Sequence, residues 1–257
     1  MKKQAALSVF AALTVAAVIF SYWDKDDSHA DKTAVHWGYT GENGPDKWGD
    51  LSPEFRLCKE GLKQSPINIA GARPAKLPVI QIDYKEVPLK VLNNGHTIQV
   101  NYPAGSTMTV GNETFQFAQI HFHTPSEHTV DGKPFAMGAH LVHKKSDGTL
   151  AVLGIFMKEG KENPFIAGIW KHMPTEAGKT ATPDAVVDVA GFLPSDLGYF
   201  NYSGSLTTPP GTEGVQWRVL KTPVEVSRDQ ITKFAGLIKA NARPIQTLNG
   251  REILVSE

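Results

Sequence analysis

The sequence predicts a single, mainly β domain with a few peripheral helices, and three observations carry that expectation. Short runs of β-branched, aromatic and aliphatic residues follow one another at close intervals. Turn formers separate them: there are 23 glycines and 17 prolines, with Asn94-Gly95, Asp131-Gly132 and Asp147-Gly148 as hairpin-type dipeptides. From Val35 onward no linker, repeat or low-complexity block interrupts the pattern, so the rest of the 257-residue chain reads as one unit.

Met1-Lys2-Lys3 is a short basic start before an apolar or small stretch from Ala5 to Phe20. Residues 1–23 therefore read as an export signal or an N-terminal anchor, and 24–34 as a polar tether leading to the domain over 35–257. The stretch is marginal for crossing about 30 Å of hydrocarbon, which favours the export signal and a periplasmic or secreted protein. A membrane enters only if the segment stays attached.

Strands are expected at 79–84, 90–92, 97–102, 107–110, 115–123, 135–144, 150–158 and 215–220, a set that suits a mostly antiparallel sheet. Two segments have helical spacing instead. Asn163-Pro164 sets a cap and a proline at the first helical position, ahead of Phe165, Ile166, Ile169 and Trp170. Ser227 with Gln230 forms a capping-box pattern before Ile231, Phe234 and Ile238.

The 26 basic and 26 acidic residues balance, and no basic run stands out, which excludes a nucleic-acid binder on charge grounds. Cys58 is the only cysteine, so the chain forms no internal disulfide.

Of nine histidines, five fall between His121 and His143. On a strand, alternate residues share a face, so Gln119, His121 and His123 point one way and Ile120 and Phe122 the other. The 135–144 run offers Gly138, His140 and Val142 on one face. If the two strands are neighbours, three imidazoles meet, and three neutral nitrogens leave a fourth tetrahedral corner for water, the layout of a catalytic zinc site. No thiolate competes, and nitrogen-only ligands suit zinc. Gln119 sits where it can orient a ring from behind. Spacing alone leaves the plainer alternative open, since strand histidines are commonly hydrogen-bonded core or surface residues.

Further motifs carry a resemblance. Gln119-Ile-His-Phe-His123, Ser126-Glu-His-Thr-Val130, Ala139-His-Leu-Val-His143 and Ser205-Leu-Thr-Thr-Pro-Pro210 resemble the alpha-type carbonic anhydrase signature in order and spacing. The flanks His36-Trp-Gly-Tyr39, Gln64-Ser-Pro-Ile-Asn68, Asn93-Asn-Gly-His96 and Asn241-Ala-Arg-Pro244 agree, and the exported bacterial branch is the most similar.

The resemblance implies a large twisted central sheet and a zinc lyase that reversibly hydrates carbon dioxide to bicarbonate and a proton, by attack of a zinc-held hydroxide. It implies zinc on His121, His123 and His140, with Gln119 and Asn241 orienting the ligands. Thr207 and Glu127 would orient the attacking oxygen, and Thr208 would contact bicarbonate. Val142, Val152, Leu206 and Trp217 match an apolar substrate wall. His96 matches the proton shuttle, with Tyr39, Asn94 and Gln99 ordering water beside it. His128 and His143 read as structural. Partners would be carbon dioxide and bicarbonate, with a homodimer left open.

Two positions depart from the pattern. Gly138 stands where the family has a glutamate behind the third zinc histidine. Gly211 stands where exported relatives place the cysteine that pairs with the one at Cys58. A weakened or inactive zinc- or anion-binding relative is therefore the alternative to a working enzyme, and an adhesion or structural β domain a more distant one.

Overall fold

The strand-rich pattern closes into one large sheet. The computed structural model describes residues 35–257, so the export-signal, anchor and tether expectations for 1–34 lie outside the described residues. Residues Trp37–Glu257 form one compact body. Its main sheet has 13 strands among the described residues. The main path runs Lys179–Ala181, Val91–Asn93, Ile98–Asn101, Glu113–His123, Met137–Lys144, Leu150–Glu159, Glu213–Leu220, Tyr199–Ser205, Leu254–Ser256 and Arg73–Ala75.

Antiparallel pairing dominates, as expected, but the sheet is mixed. Leu150–Glu159 runs parallel to both Glu213–Leu220 and Val224–Val226, and Leu254–Ser256 runs parallel to Arg73–Ala75. All eight expected strands form, with ends that differ by at most two residues. Tyr199–Ser205, Val224–Val226, Lys179–Ala181, Arg73–Ala75 and Leu254–Ser256 were not anticipated from the sequence.

Both expected helices are present. In Pro164–Trp170, the Asn163 side chain accepts from Ile166 N. Ser227 and Gln230 complete a reciprocal capping box ahead of Arg228–Ile238. Phe122 points away from its histidine neighbours and meets Trp170 at 4.8 Å between ring centroids, and Trp170 in turn stacks on Phe234 at 5.4 Å. The helices thus pack on one face of the sheet and share its hydrophobic core with Ile120, Leu141 and Leu153, all of them fully buried. The opposite face is left for chemistry. Among the described residues no helix is long and apolar enough to cross a membrane.

Candidate active site

Register builds this face. His140 lies directly opposite His121, Gly138 opposite His123, and Val142 opposite Gln119. Gln99 lies opposite His121 on the other side. Residues paired in this way project from the same face, so the neighbourhood that the histidine spacing required is in place. One ligand nitrogen from each of His121, His123 and His140 lies within 4.8 Å of the other two.

Hydrogen bonds set the rings. His121 Nδ1 stands 2.8 Å from Gln119 Oε1, and His123 Nδ1 stands 2.9 Å from the Asn241 carbonyl. Both partners only accept, so each Nδ1 carries the proton and each Nε2 keeps a lone pair. Asn241 is itself pinned: its Oδ1 accepts from Thr124 N, and its Nδ2 donates to the Phe122 and His96 carbonyls. Burial, joined by the neighbouring imidazoles, holds His121 and His140 well below the usual imidazole pKa. They are neutral at pH 7, the form that binds a metal.

Glu127 is buried beside His123 and His140. Its Oε2 lies 3.6 Å from His123 Nε2 and 3.7 Å from His140 Nδ1, while its Oε1 accepts from Arg243 N at 2.9 Å. Burial raises its pKa, and His123, the Arg243 amide and the Thr207 hydroxyl pull it back. Thr207 stands close enough to exert that effect, yet Oε2 makes no hydrogen bond.

Val142, Val152 and Trp217 sit in cross-strand register on the same face and are all buried. The Trp217 ring lies 4.8 Å from that of His140. Leu206 and Thr208 are half-buried in the loop that also carries Thr207. At the rim, Asn94 Oδ1 accepts from the amides of His96 and Thr97, and Asn94 Nδ2 donates to Gln99 Oε1. Tyr39 lies 6.5 Å from the His96 ring.

Sequence reasoning missed several groups. Trp37 stacks flat on His96, 3.7 Å between centroids and 5° between planes. These two residues lie far apart in the chain, and no local pattern links them. Gln64, Ser65 and Arg243 fall inside recognised motifs but had no role there, because their roles rest on contacts with distant segments. Ser65 Oγ shares a hydrogen bond with Tyr202 OH, and Tyr202 OH with His128 Nε2. This agrees with a structural reading of His128. His143, bound to Tyr84 OH at 2.7 Å, faces away from the cluster.

The donor set fits zinc. All three groups are imidazoles, and the buried Nε2 of His123 has no hydrogen-bond partner, which a metal would supply.

Comparison with known proteins agrees with this geometry. A family model described as eukaryotic-type carbonic anhydrase matches residues 43–257. The chain belongs to the alpha-type carbonic anhydrase family. A carbonic anhydrase from Pectobacterium carotovorum is 45% identical over 222 residues, spanning 86% of this chain and 91% of that protein. One from Neisseria gonorrhoeae is 45% identical over 229 residues, 88% and 90% of the two chains. The alpha-carbonic anhydrase from Thermovibrio ammonificans, solved with sulfanilamide, superposes with a TM-score of 0.84 at 46% identity, covering 86% of this chain and 99% of that one. The chain is an enzyme of this family, and its sheet is the carbonic anhydrase fold.

Proposed function

We propose that the chain hydrates carbon dioxide to bicarbonate and a proton, with zinc on His121, His123 and His140. One observation carries this reading: three imidazoles from two paired strands converge in register, backed by Gln119 and by the Asn241 carbonyl. A zinc ion held there would supply the Lewis acidity that lowers the pKa of a bound water to about 7, a figure for which carbonic anhydrase is itself the standard example.

The protein's own groups do the rest. Thr207, beside Glu127, would orient the attacking oxygen by accepting a hydrogen bond from it while turning its own hydroxyl hydrogen toward the carboxylate, a positioning effect. Val142, Val152, Leu206 and Trp217 give an uncharged substrate a dry wall, and Thr208 meets the product. His96 carries the released proton to buffer, since an imidazole changes charge near neutral pH. Tyr39, Asn94 and Gln99 order the water that bridges to it.

A second reading, a weakened or inactive zinc- or anion-binding relative, is favoured by Gly138, which gives the third imidazole no carboxylate behind it. Zinc titration into metal-free protein, paired with rapid-mixing hydration assays, separates the two. One ion should bind per chain, and turnover should follow and be blocked by a sulfonamide. His140→Ala should lose both. Stoichiometric zinc without turnover favours the second reading, and no zinc uptake ends both. His96→Ala should slow turnover in dilute buffer and recover with added imidazole; a variant indifferent to buffer would remove His96 from the shuttle role.

A further inference from the structure

The loop that carries Thr207 and Thr208 has no covalent brace, since Cys58 is a free thiol and position 211 is glycine. It closes on itself through Leu206 N to the Thr212 carbonyl and Gly211 N to the Thr208 carbonyl, both 2.9 Å. Beyond the two paired strands it joins, segment 63–65 ties it to the body. Gln64 Nε2 donates to the Gly211 carbonyl at 2.8 Å and to Glu213 Oε1 at 3.2 Å. Lys63 N donates to the same Glu213 oxygen at 2.6 Å. Ser65 N donates to Ser205 Oγ, and Ser205 N donates back to Ser65 Oγ.

Gln64 is fixed from behind. Its Oε1 accepts from Arg243 Nη1 at 2.9 Å, and the guanidinium also donates to the Ser65 and Cys58 carbonyls. Both side chains are almost fully buried. The main-chain N of the same Arg243 donates to Glu127 Oε1. One residue therefore ties down both the carboxylate at the imidazole cluster and, through Gln64, the loop bearing Thr207.

We propose that Gln64 and Arg243 are positioning residues that hold Thr207 in register with Glu127. They do through hydrogen bonds what a cross-link at 58 and 211 would do covalently. What the loop does in catalysis rests on the carbon dioxide hydration reading; the mechanical link does not. Buried hydrogen bonds are directional and costly to leave half-made. Removing the Gln64 donor therefore strands the Gly211 carbonyl and frees the loop.

Two variants test this in the full chain. Gln64→Glu keeps an acceptor for Arg243 but loses the donor to Gly211 and sets two carboxylates together with Glu213. Gly61→Ala leaves Gln64 intact. Gly61 has ordinary extended backbone, but an added Cβ would lie 2.5 Å from both Gln64 Nε2 and Glu213 Oε1 and would push them apart, and 2.6 Å from the Leu57 carbonyl, so the preceding helical turn must also shift.

In metal-free protein, amide exchange at Leu206 and Gly211 should speed up at least ~10-fold in both variants, while Leu141 and Leu153 in the central sheet stay protected. With zinc loaded, kcat/KM should fall about ten- to a hundred-fold, the scale of a misplaced catalytic group, with zinc affinity unchanged. Unchanged loop exchange in either folded variant overturns the brace. Faster exchange with undiminished kcat/KM overturns the positioning role and leaves a purely structural contact. If the parent protein shows no turnover, the hydration reading fails, while the exchange measurement still decides whether the brace exists.

Discussion

At the scale of single residues, two glycines do opposite things. Gly138 sits in extended strand opposite His123, where a Cβ would meet the Cα and Cβ of Ser126 at 3.3 Å. Ser126 would have to yield by a few tenths of an ångström, and its Oγ is engaged with Phe135 N and the His128 carbonyl. Gly138→Glu should nonetheless tighten zinc binding by about 10–100-fold, the usual worth of a partner behind a ligand, as read by competition with a chelator. Unchanged affinity would show that this site has no need of a carboxylate there. Gly211 is under stricter constraint. Its φ is +71°, and an added Cβ would lie 2.7 Å from Cys58 Sγ and 3.0 Å from Gln64 Oε1. Glycine fits such a place, and so does a cysteine bonded to Cys58.

At the scale of elements, Gly211→Cys follows from that contact. A bridge stabilises by about 2–4 kcal/mol, and left-handed backbone at a non-glycine residue takes back about 1–2 kcal/mol. Under oxidising conditions the melting temperature should still rise by several degrees; no rise, with the bridge confirmed by mass, would mean that the strain cancels the gain. The histidine-bearing strands were legible in the sequence because Ile120 and Phe122 alternate with His121 and His123, a period-two pattern that burial enforces. Tyr199–Ser205 was not legible, because Asn201, Ser203 and Gly204 dilute that alternation. Val224–Val226, Arg73–Ala75 and Leu254–Ser256 are three residues each, too short for any pattern to show. Their pairing is set by distant strands. The same limit hid Gln64, Arg243 and Trp37, whose partners lie far away in the chain, while His121, His123 and His140 were exposed by local spacing and strand adjacency.

At the scale of the whole molecule, acid should act through buried imidazoles. Burial pushes His128 and His143 down to about 3, and His121 and His140 are also held low. The unfolded chain takes up these protons near pH 6.5. Folding stability is thus fully present above that value and is lost as pH falls from about 6.5 toward about 3. Each such histidine contributes a slope of about 1.4 kcal/mol per pH unit. Glu127, raised by burial, works in the opposite sense around and above pH 4.5 and offsets part of the loss. Denaturant unfolding of metal-free protein should show stability dropping steadily below pH 6.5; a flat profile between 6.5 and 5 would contradict the burial of neutral rings.

Cys58 adds a consequence of its own. It packs beneath the Gly211 turn, and burial lifts its thiol to about 11, so almost no thiolate exists at neutral pH. The folded molecule therefore resists exchange with disulfides, since that exchange begins with attack by the thiolate. Its sulfur becomes reactive when the surrounding structure opens, which makes alkylation of that atom a built-in clock for unfolding.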